Sequence, residues 1–165
     1  LEVLRSNISS DGTAFETVAA HVESILSKTT DALKVEDRRM AIPVNFSKED
    51  ALDLIAISDR SGVGPNDVIE IFTAIEYRVF MLGFLPGFAY MGEVDAKIAM
   101  PRRDSPRLKT PKGSVGIAGR QTGIYPFESP GGWQIVGRTD VEMFDPTADP
   151  PCLLRPGDLV RFVPI

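Results

Sequence analysis

Gly83-Phe84-Leu85-Pro86-Gly87-Phe88-Ala89-Tyr90-Met91-Gly92 is too interrupted by glycine and proline for a helix, and too apolar for an ordinary exposed loop. Gln121-Thr122-Gly123-Ile124-Tyr125-Pro126 and Ser129-Pro130-Gly131-Gly132-Trp133 repeat that character. Eleven of the 13 prolines lie at or after Pro86, and ten of the 14 glycines fall between Gly83 and Gly137. Proline removes a backbone donor and glycine loses entropy in a helix, so this half predicts short strands joined by tight turns, as in a barrel or sandwich. Buried turns need partners for their backbone polar groups, so these three segments either pack on one another or line a groove. Trp133 reads as a core aromatic; Tyr90 and Tyr125 suit a groove wall and a core equally, each pairing an apolar ring with a polar tip.

The half before position 83 reads as helical pieces with strands between them. Phe15, Val18, Ala19, Val22 and Leu26 follow the 3.6-residue period, with Thr17, His21, Ser24 and Lys28 opposite. Ala41 to Phe46 predicts a strand. Ser47 and Asp50 then resemble a capping box opening a helix that Gly62 ends, and a shorter helix runs from Pro65 to Thr73. Tyr77 to Leu82 predicts a buried strand, and Leu159 to Val163 another after the turn that holds Arg155 and Asp158, both read as structural. The chain opens on Leu1 rather than Met, with strand-like alternation to Leu4, so it is expected to begin inside a domain.

Composition excludes several classes. At 165 residues with 43% hydrophobic and 25% charged side chains, the chain has the balance of a globular protein. No apolar run approaches the roughly 20 residues that span a bilayer, which points to a soluble cytoplasmic protein and no membrane partner. A net charge of -5 argues against nucleic acid. The two helices flanking Ser61-Gly62-Val63-Gly64 do not make a DNA-reading pair, because the second carries Asp67 and Glu70 and no cation. Cys152 is the single cysteine and His21 the single histidine, so no metal site and no Ser-His-Asp or Cys-His mechanism is expected. His21 reads as a solvated surface residue. Pro111-Lys112-Gly113-Ser114 lacks the full P-loop pattern, and the Gly113, Gly116, Gly119 spacing marks bends or close backbone approaches in a strand region.

The positive signal is a run of cations, Arg102, Arg103, Arg107, Lys109, Lys112 and Arg120, within a stretch where charge turns over: residues 1–100 carry 16 acids and 9 bases, residues 101–165 carry 7 and 9. Such a run is either an anion site, since arginine presents a planar fork of donors, or an exposed loop kept soluble by charge. Ser105, Thr110, Ser114 and Thr122 add neutral donors.

Tyr77-Arg78-Val79, MLGFLPGFAYMG (81–92), PRRDSPR (101–107), GSVGIAGRQTGIYPFESPGGWQIVGRT (113–139) and LLRPGDLVRFVPI (153–165) resemble the KipI/allophanate hydrolase subunit 1 family, which includes the B-type subunit of bacterial 5-oxoprolinase and is similar to half of the carboxyltransferase domain of urea carboxylase. The likeness spans about positions 42–165. It implies an α+β N-terminal portion, residues 1–40, as the end of an incomplete small domain. A mainly β, cyclophilin-like β-barrel over 41–165 follows, with a helical insertion near 47–74. It also implies a homologous C-type subunit (KipA-type, allophanate hydrolase subunit 2) as partner, an A-type hydrolase subunit, and ATP consumed by the assembly as 5-oxo-L-proline opens to glutamate. Biotin enters only if the reaction is of the urea carboxylase type. The alternative within the family is a KipI-type inhibitor of a sporulation histidine kinase, and a third role is a scaffold for the partner subunit. Under the enzyme reading Arg102, Arg103 and Arg107 are the candidate catalytic residues, an electrostatic clamp for a small anionic substrate. Pro86, Gly87 and Tyr90 would form one groove wall, Gln121, Thr122 and Tyr125 the other, with Ser105 as a further donor. Phe72 stands where the family frequently has a histidine, as an acid or base that is lost here or as a packing residue replaced.

Overall fold

The computed structural model describes residues 13–28 and 37–165, which fall into two compact units divided after Glu36. The expected strand at Leu1–Leu4 lies outside the described residues. Of the first unit, α1 (Ala14–Lys28) is described. A capping box starts it: Thr13 N donates to Glu16 Oε2 at 2.7 Å, and Glu16 N donates to Thr13 Oγ1 at 3.2 Å. His21 is exposed, as expected of a solvated residue.

The second unit begins with β1 (Arg39–Val44), then the helices α2 (Leu54–Ser61) and α3 (Pro65–Thr73). The strands β2 (Glu76–Leu82), β3 (Ala89–Gly92), β4 (Arg107–Thr110), β5 (Ser114–Ala118), β6 (Gln121–Ile124), β7 (Ser129–Gly131), β8 (Gln134–Arg138) and β9 (Leu159–Pro164) complete it. Seven strands form one sheet in the order β1-β9-β2-β3-β6-β5-β8. Asn45, just past β1, exchanges backbone hydrogen bonds with Arg138 of β8 at 2.7 and 2.9 Å, which joins the two edges into a nearly closed barrel. β1 and β9 pair in parallel and the other pairs are antiparallel. The short pair β4–β7 lies outside this sheet. No described helix is long and apolar enough to cross a membrane.

The helical insertion differs from the expectation at its start. Ser47 to Asp50 is a turn in which Ser47 N donates to Asn45 Oδ1, and α2 begins seven residues later than Ser47, after Asp53. The Ser47 Oγ–Asp50 Oδ2 hydrogen bond of 3.2 Å exists, but it closes the turn rather than capping a helix. Gly62 ends α2 with φ 72°, and Pro65 occupies the first turn of α3, both as the sequence indicates. β2 is also less buried than expected, because Arg78, Phe80 and Met81 face outward.

Inside the barrel Phe72 of α3 is fully buried and stacks on Phe162 of β9, ring centroids 5.1 Å apart, beside Tyr77 at 5.3 Å. The Tyr77 hydroxyl donates to Phe72 O at 2.7 Å. Phe72 is therefore a packing residue that anchors α3 onto the sheet. Along the same β2–β9 seam, buried Asp158 accepts Arg38 Nε at 2.9 Å and Arg155 N at 2.9 Å, tying the turn before β9 to the residue before β1. Burial would raise its carboxyl, but the hydrogen bonds and charges of Arg38 and Arg155 outweigh burial and hold it below the ordinary carboxylate value.

Candidate functional site

A second, smaller core lies apart from the first and is built on Phe88, Tyr125, Trp133, Ala118 and Ile135. Phe88 is its hub, edge-on to Tyr125 and Trp133 at 5.4 Å each, to Phe84 at 5.5 Å and to Tyr90 at 4.9 Å. The glycines of the barrel strands make room for these rings. A Cβ on Gly116 would lie 3.0 Å from Trp133 Cβ, and one on Gly123 would lie 2.9 Å from the Phe88 ring. The edge-to-face geometry leaves a cleft of about 270 Å³ bounded by Phe84, Phe88, Tyr90, Tyr125 and Trp133, with Arg102 and the Pro130-Gly131-Gly132 turn completing it. That volume lies just below the range of pockets for drug-sized ligands, so it suits a small molecule.

The cation run resolves into unequal members. Arg103 Nη1 and Arg107 Nη2 both donate to Asp53 Oδ1, at 3.0 and 2.6 Å, and Asp53 is 5% exposed. Asp53 Oδ2 accepts Ile135 N at 2.6 Å, while Asp53 N donates to Ile135 O at 2.8 Å. Asp53 therefore sits at the start of α2 without capping it, because its carboxylate is taken up by two arginines and β8. Lys109 pairs with Glu128, Lys112 with Glu142 and Arg120 with Glu93. Among the described residues Arg102 has no carboxylate partner, and it is the member of the run that borders the aromatic cleft. Burial pushes the Tyr125 phenol up, against the downward pull of a hydrogen bond from the Trp133 backbone and of the Arg102 and Arg107 charges.

Of the residues expected to form a clamp and two walls, Arg102, Tyr90 and Tyr125 meet at the cleft. The others lie elsewhere. Arg103 and Arg107 hold the loop to Asp53. Thr122 is fully buried, its hydroxyl donating to Gly116 O at 2.9 Å, so it faces the barrel interior rather than a groove. Gln121 is exposed at the start of β6, opposite Gly92. Pro86 is exposed, and Gly87 turns toward a different segment, where a Cβ would lie 2.8 Å from Met143 O. Ser105 borders a separate depression with Ala56, Arg103, Asp104 and Gln134, which has Arg102 in common with the cleft. Sequence reasoning missed Asp53, which carries no local motif, and left Phe84, Phe88 and Trp133 out of the walls, although the glycine-rich aromatic segments contain them. Among the described residues no group of three or more His, Cys, Asp or Glu is placed to hold a metal ion.

A family model described as carboxyltransferase domain, subdomain C and D, matches residues 5–154. The B-type subunit of 5-oxoprolinase from Bacillus subtilis is 46% identical over 151 residues, which are 92% of this chain and 63% of that protein. The chain thus spans just under two thirds of the length of that curated relative. A solved structure of a conserved uncharacterized protein from Pyrococcus horikoshii superposes with a TM-score of 0.76 at 46% identity, covering 92% of this chain and 69% of that one. The urea amidolyase of Kluyveromyces lactis shares the fold with a TM-score of 0.66 at 24% identity, over 89% of this chain and 11% of that one.

Proposed function

Because the chain belongs to the carboxyltransferase-domain family of subdomains C and D, we propose that it serves as the B-type subunit of an ATP-dependent 5-oxoprolinase assembly, in which its aromatic cleft receives 5-oxo-L-proline. The observation that carries this reading is Arg102, the cation of its run without a described carboxylate partner, at the rim of a cleft walled by five aromatic side chains. A flat five-membered lactam with one carboxylate matches such a cleft in size, shape and charge. Arg102 holds the carboxylate, and the rings exclude water from the lactam. Arg103 and Arg107, neutralised in part by Asp53, keep the loop in place.

The 111–114 turn does not fit a nucleotide-phosphate cradle. Gly113 N donates to Tyr125 O, and Gly113 O accepts Thr139 N, so the backbone groups of the 111–114 turn are engaged within the barrel. In this reading ATP is handled by another member of the assembly, such as a homologous C-type subunit or an A-type hydrolase subunit. The described lining of the cleft also contains no histidine, cysteine or carboxylate to act as base or nucleophile, which gives the partner a chemical role.

The test is reconstitution of the full-length protein with its partner subunits, following glutamate release that depends on both ATP and 5-oxo-L-proline. Release lost on omission of this chain supports the proposal. Release that continues without it overturns the enzyme reading, and assays of biotin-dependent carboxyl transfer and of histidine kinase autophosphorylation then decide between the remaining family roles.

A further inference from the structure

We propose that Phe84 is the specificity-determining wall of the aromatic cleft: a strained turn holds its ring out of the core, and a planar amide of the ligand stacks on it while Arg102 holds the carboxylate. This inference rests on the reading of the cleft as a substrate site and adds the residue that selects a flat ligand over a puckered one.

The loop between β2 and β3 is two tight turns in succession. Leu85 N donates to Gly83 O at 2.9 Å across Phe84, whose φ is 70°, which makes a three-residue γ-turn of the rare, strained hand. Phe88 N then donates to Leu85 O at 3.0 Å across Pro86 and Gly87, and a proline followed by a glycine at φ 83° is the type II pattern. Gly83 N donates to Phe88 O at 3.1 Å and closes the loop. Glycine accepts a positive φ without a steric penalty, but Phe84 is the one non-glycine residue with a positive φ among those described. A bulky side chain in that region is an outlier that its surroundings must hold in place.

Burial does not account for it. Phe84 is 60% exposed, and a strained residue kept largely in the open points to function rather than packing. Its ring nevertheless has a defined place, at 85° to Phe88 and 87° to Tyr125, which stand at 79° to each other. Three nearly perpendicular rings thus make one corner of the cleft. Rings grouped in this way attract a cation, but Arg102 on the same cleft repels one. The ligand that satisfies both is an anion with a flat, uncharged group. An amide plane offers a face to stack on an aromatic ring, whereas a saturated ring offers none.

Calorimetric titration of the full-length protein in its assembly, without ATP, tests this with 5-oxo-L-proline and with cyclopentanecarboxylate, a puckered ring bearing the same carboxylate. The unaltered assembly is expected to prefer 5-oxo-L-proline. Phe84→Leu keeps the apolar bulk and removes the planar ring, so it is expected to weaken 5-oxo-L-proline about three- to tenfold, while Phe84→Tyr keeps the original affinity. Thermal melts of the free protein read the turn itself: Phe84→Gly is expected to melt about 2–4 °C above Phe84→Ala, because both lack the ring and only glycine relieves the backbone. Should Phe84→Leu fail to fold, Phe84→Gly serves as the ring-less variant, with the same loss of affinity expected. Equal affinity of the unaltered assembly for the two ligands overturns the selectivity, and unchanged 5-oxo-L-proline affinity without the ring overturns the role of Phe84; both leave the cleft standing. A Phe84→Gly variant that melts no higher than Phe84→Ala overturns the strained hold. No binding of 5-oxo-L-proline by the unaltered assembly overturns the cleft reading itself.

Discussion

Asp53 and Arg107 meet at 2.6 Å across 54 positions of sequence, and the same carboxylate oxygen also accepts Arg103. One buried acid thereby fixes both ends of the 103–107 segment, while its other oxygen accepts the Ile135 amide of β8. The loop that carries Arg102 hangs from these bonds. Replacing Asp53 with Asn leaves two guanidiniums facing a neutral amide, one of them largely buried. Breaking a buried pair of this kind is expected to cost about 3 kcal/mol of unfolding free energy, read from urea denaturation. A loss well under about 1 kcal/mol would mean that the loop is held by other contacts.

Arg102 and Arg107 should separate function from stability. Arg102 is exposed and has no ion-pair partner among the described residues, so Arg102→Ala should leave the melting temperature nearly unchanged. It should lower kcat/KM of the reconstituted assembly by about ten- to a hundredfold, the loss of one charge-assisted hydrogen bond to a carboxylate. Arg107→Ala should do the reverse first, lowering the melting temperature because Asp53 loses its shorter partner. Equal effects of the two variants on both measurements would return the three arginines to a single undifferentiated clamp.

The barrel half was legible because its punctuation is local. Proline and glycine density excluded long helices after position 83, and the turn residues around Gly119 and Gly157 fell between observed strands. What escaped depends on which residues face each other over long separations. Asp53 carries no motif, since an acid near a helix start looks like a cap until β8 and the 103–107 segment are seen to share it. Thr122 and Gln121 were placed in one wall, but neighbours on a strand point to opposite faces, and the register of β6 sends Thr122 inward. The aromatic segments were correctly read as mutual packing or groove lining, and the structure shows that they do both around Phe88.

Asp158 should control part of the acid limb of stability. Its carboxyl lies below the ordinary value of 3.8 in the folded protein, because Arg38 and Arg155 favour its charged form more than burial disfavours it. The unfolded chain therefore takes up a proton first as pH falls. The contribution is fully present above the ordinary carboxylate range and is lost as pH drops through the folded value. Urea midpoints measured from about pH 6 down to about pH 2.5 should show Asp158→Asn less stable than the unaltered protein near neutrality, with the two curves converging toward the acid end. Parallel curves across that range would remove Asp158 from the acid response.

Phe72 is the position where relatives were expected to carry a histidine, and its surroundings decide what that exchange does here. The ring is fully buried between Phe162 and Tyr77, and the charge that reaches this part of the core is that of Asp95, felt at the neighbouring Tyr77 hydroxyl, where burial is the larger influence. The adjacent Tyr77 hydroxyl already donates to Phe72 O. Phe72→His would keep the approximate shape, lose apolar area and stacking, and bury a polar nitrogen, at a cost of about 2 kcal/mol near pH 8. Burial would depress the imidazole below its ordinary value of about 6.5, so the unfolded chain would bind the proton first and the variant would lose further stability as pH falls through that value. Thermal melts at about pH 8 and about pH 5.5 should therefore diverge for the variant much more than for the unaltered protein. A variant equally stable at both would show that this part of the core accommodates a charge, and would reopen position 72 as a place for acid–base chemistry.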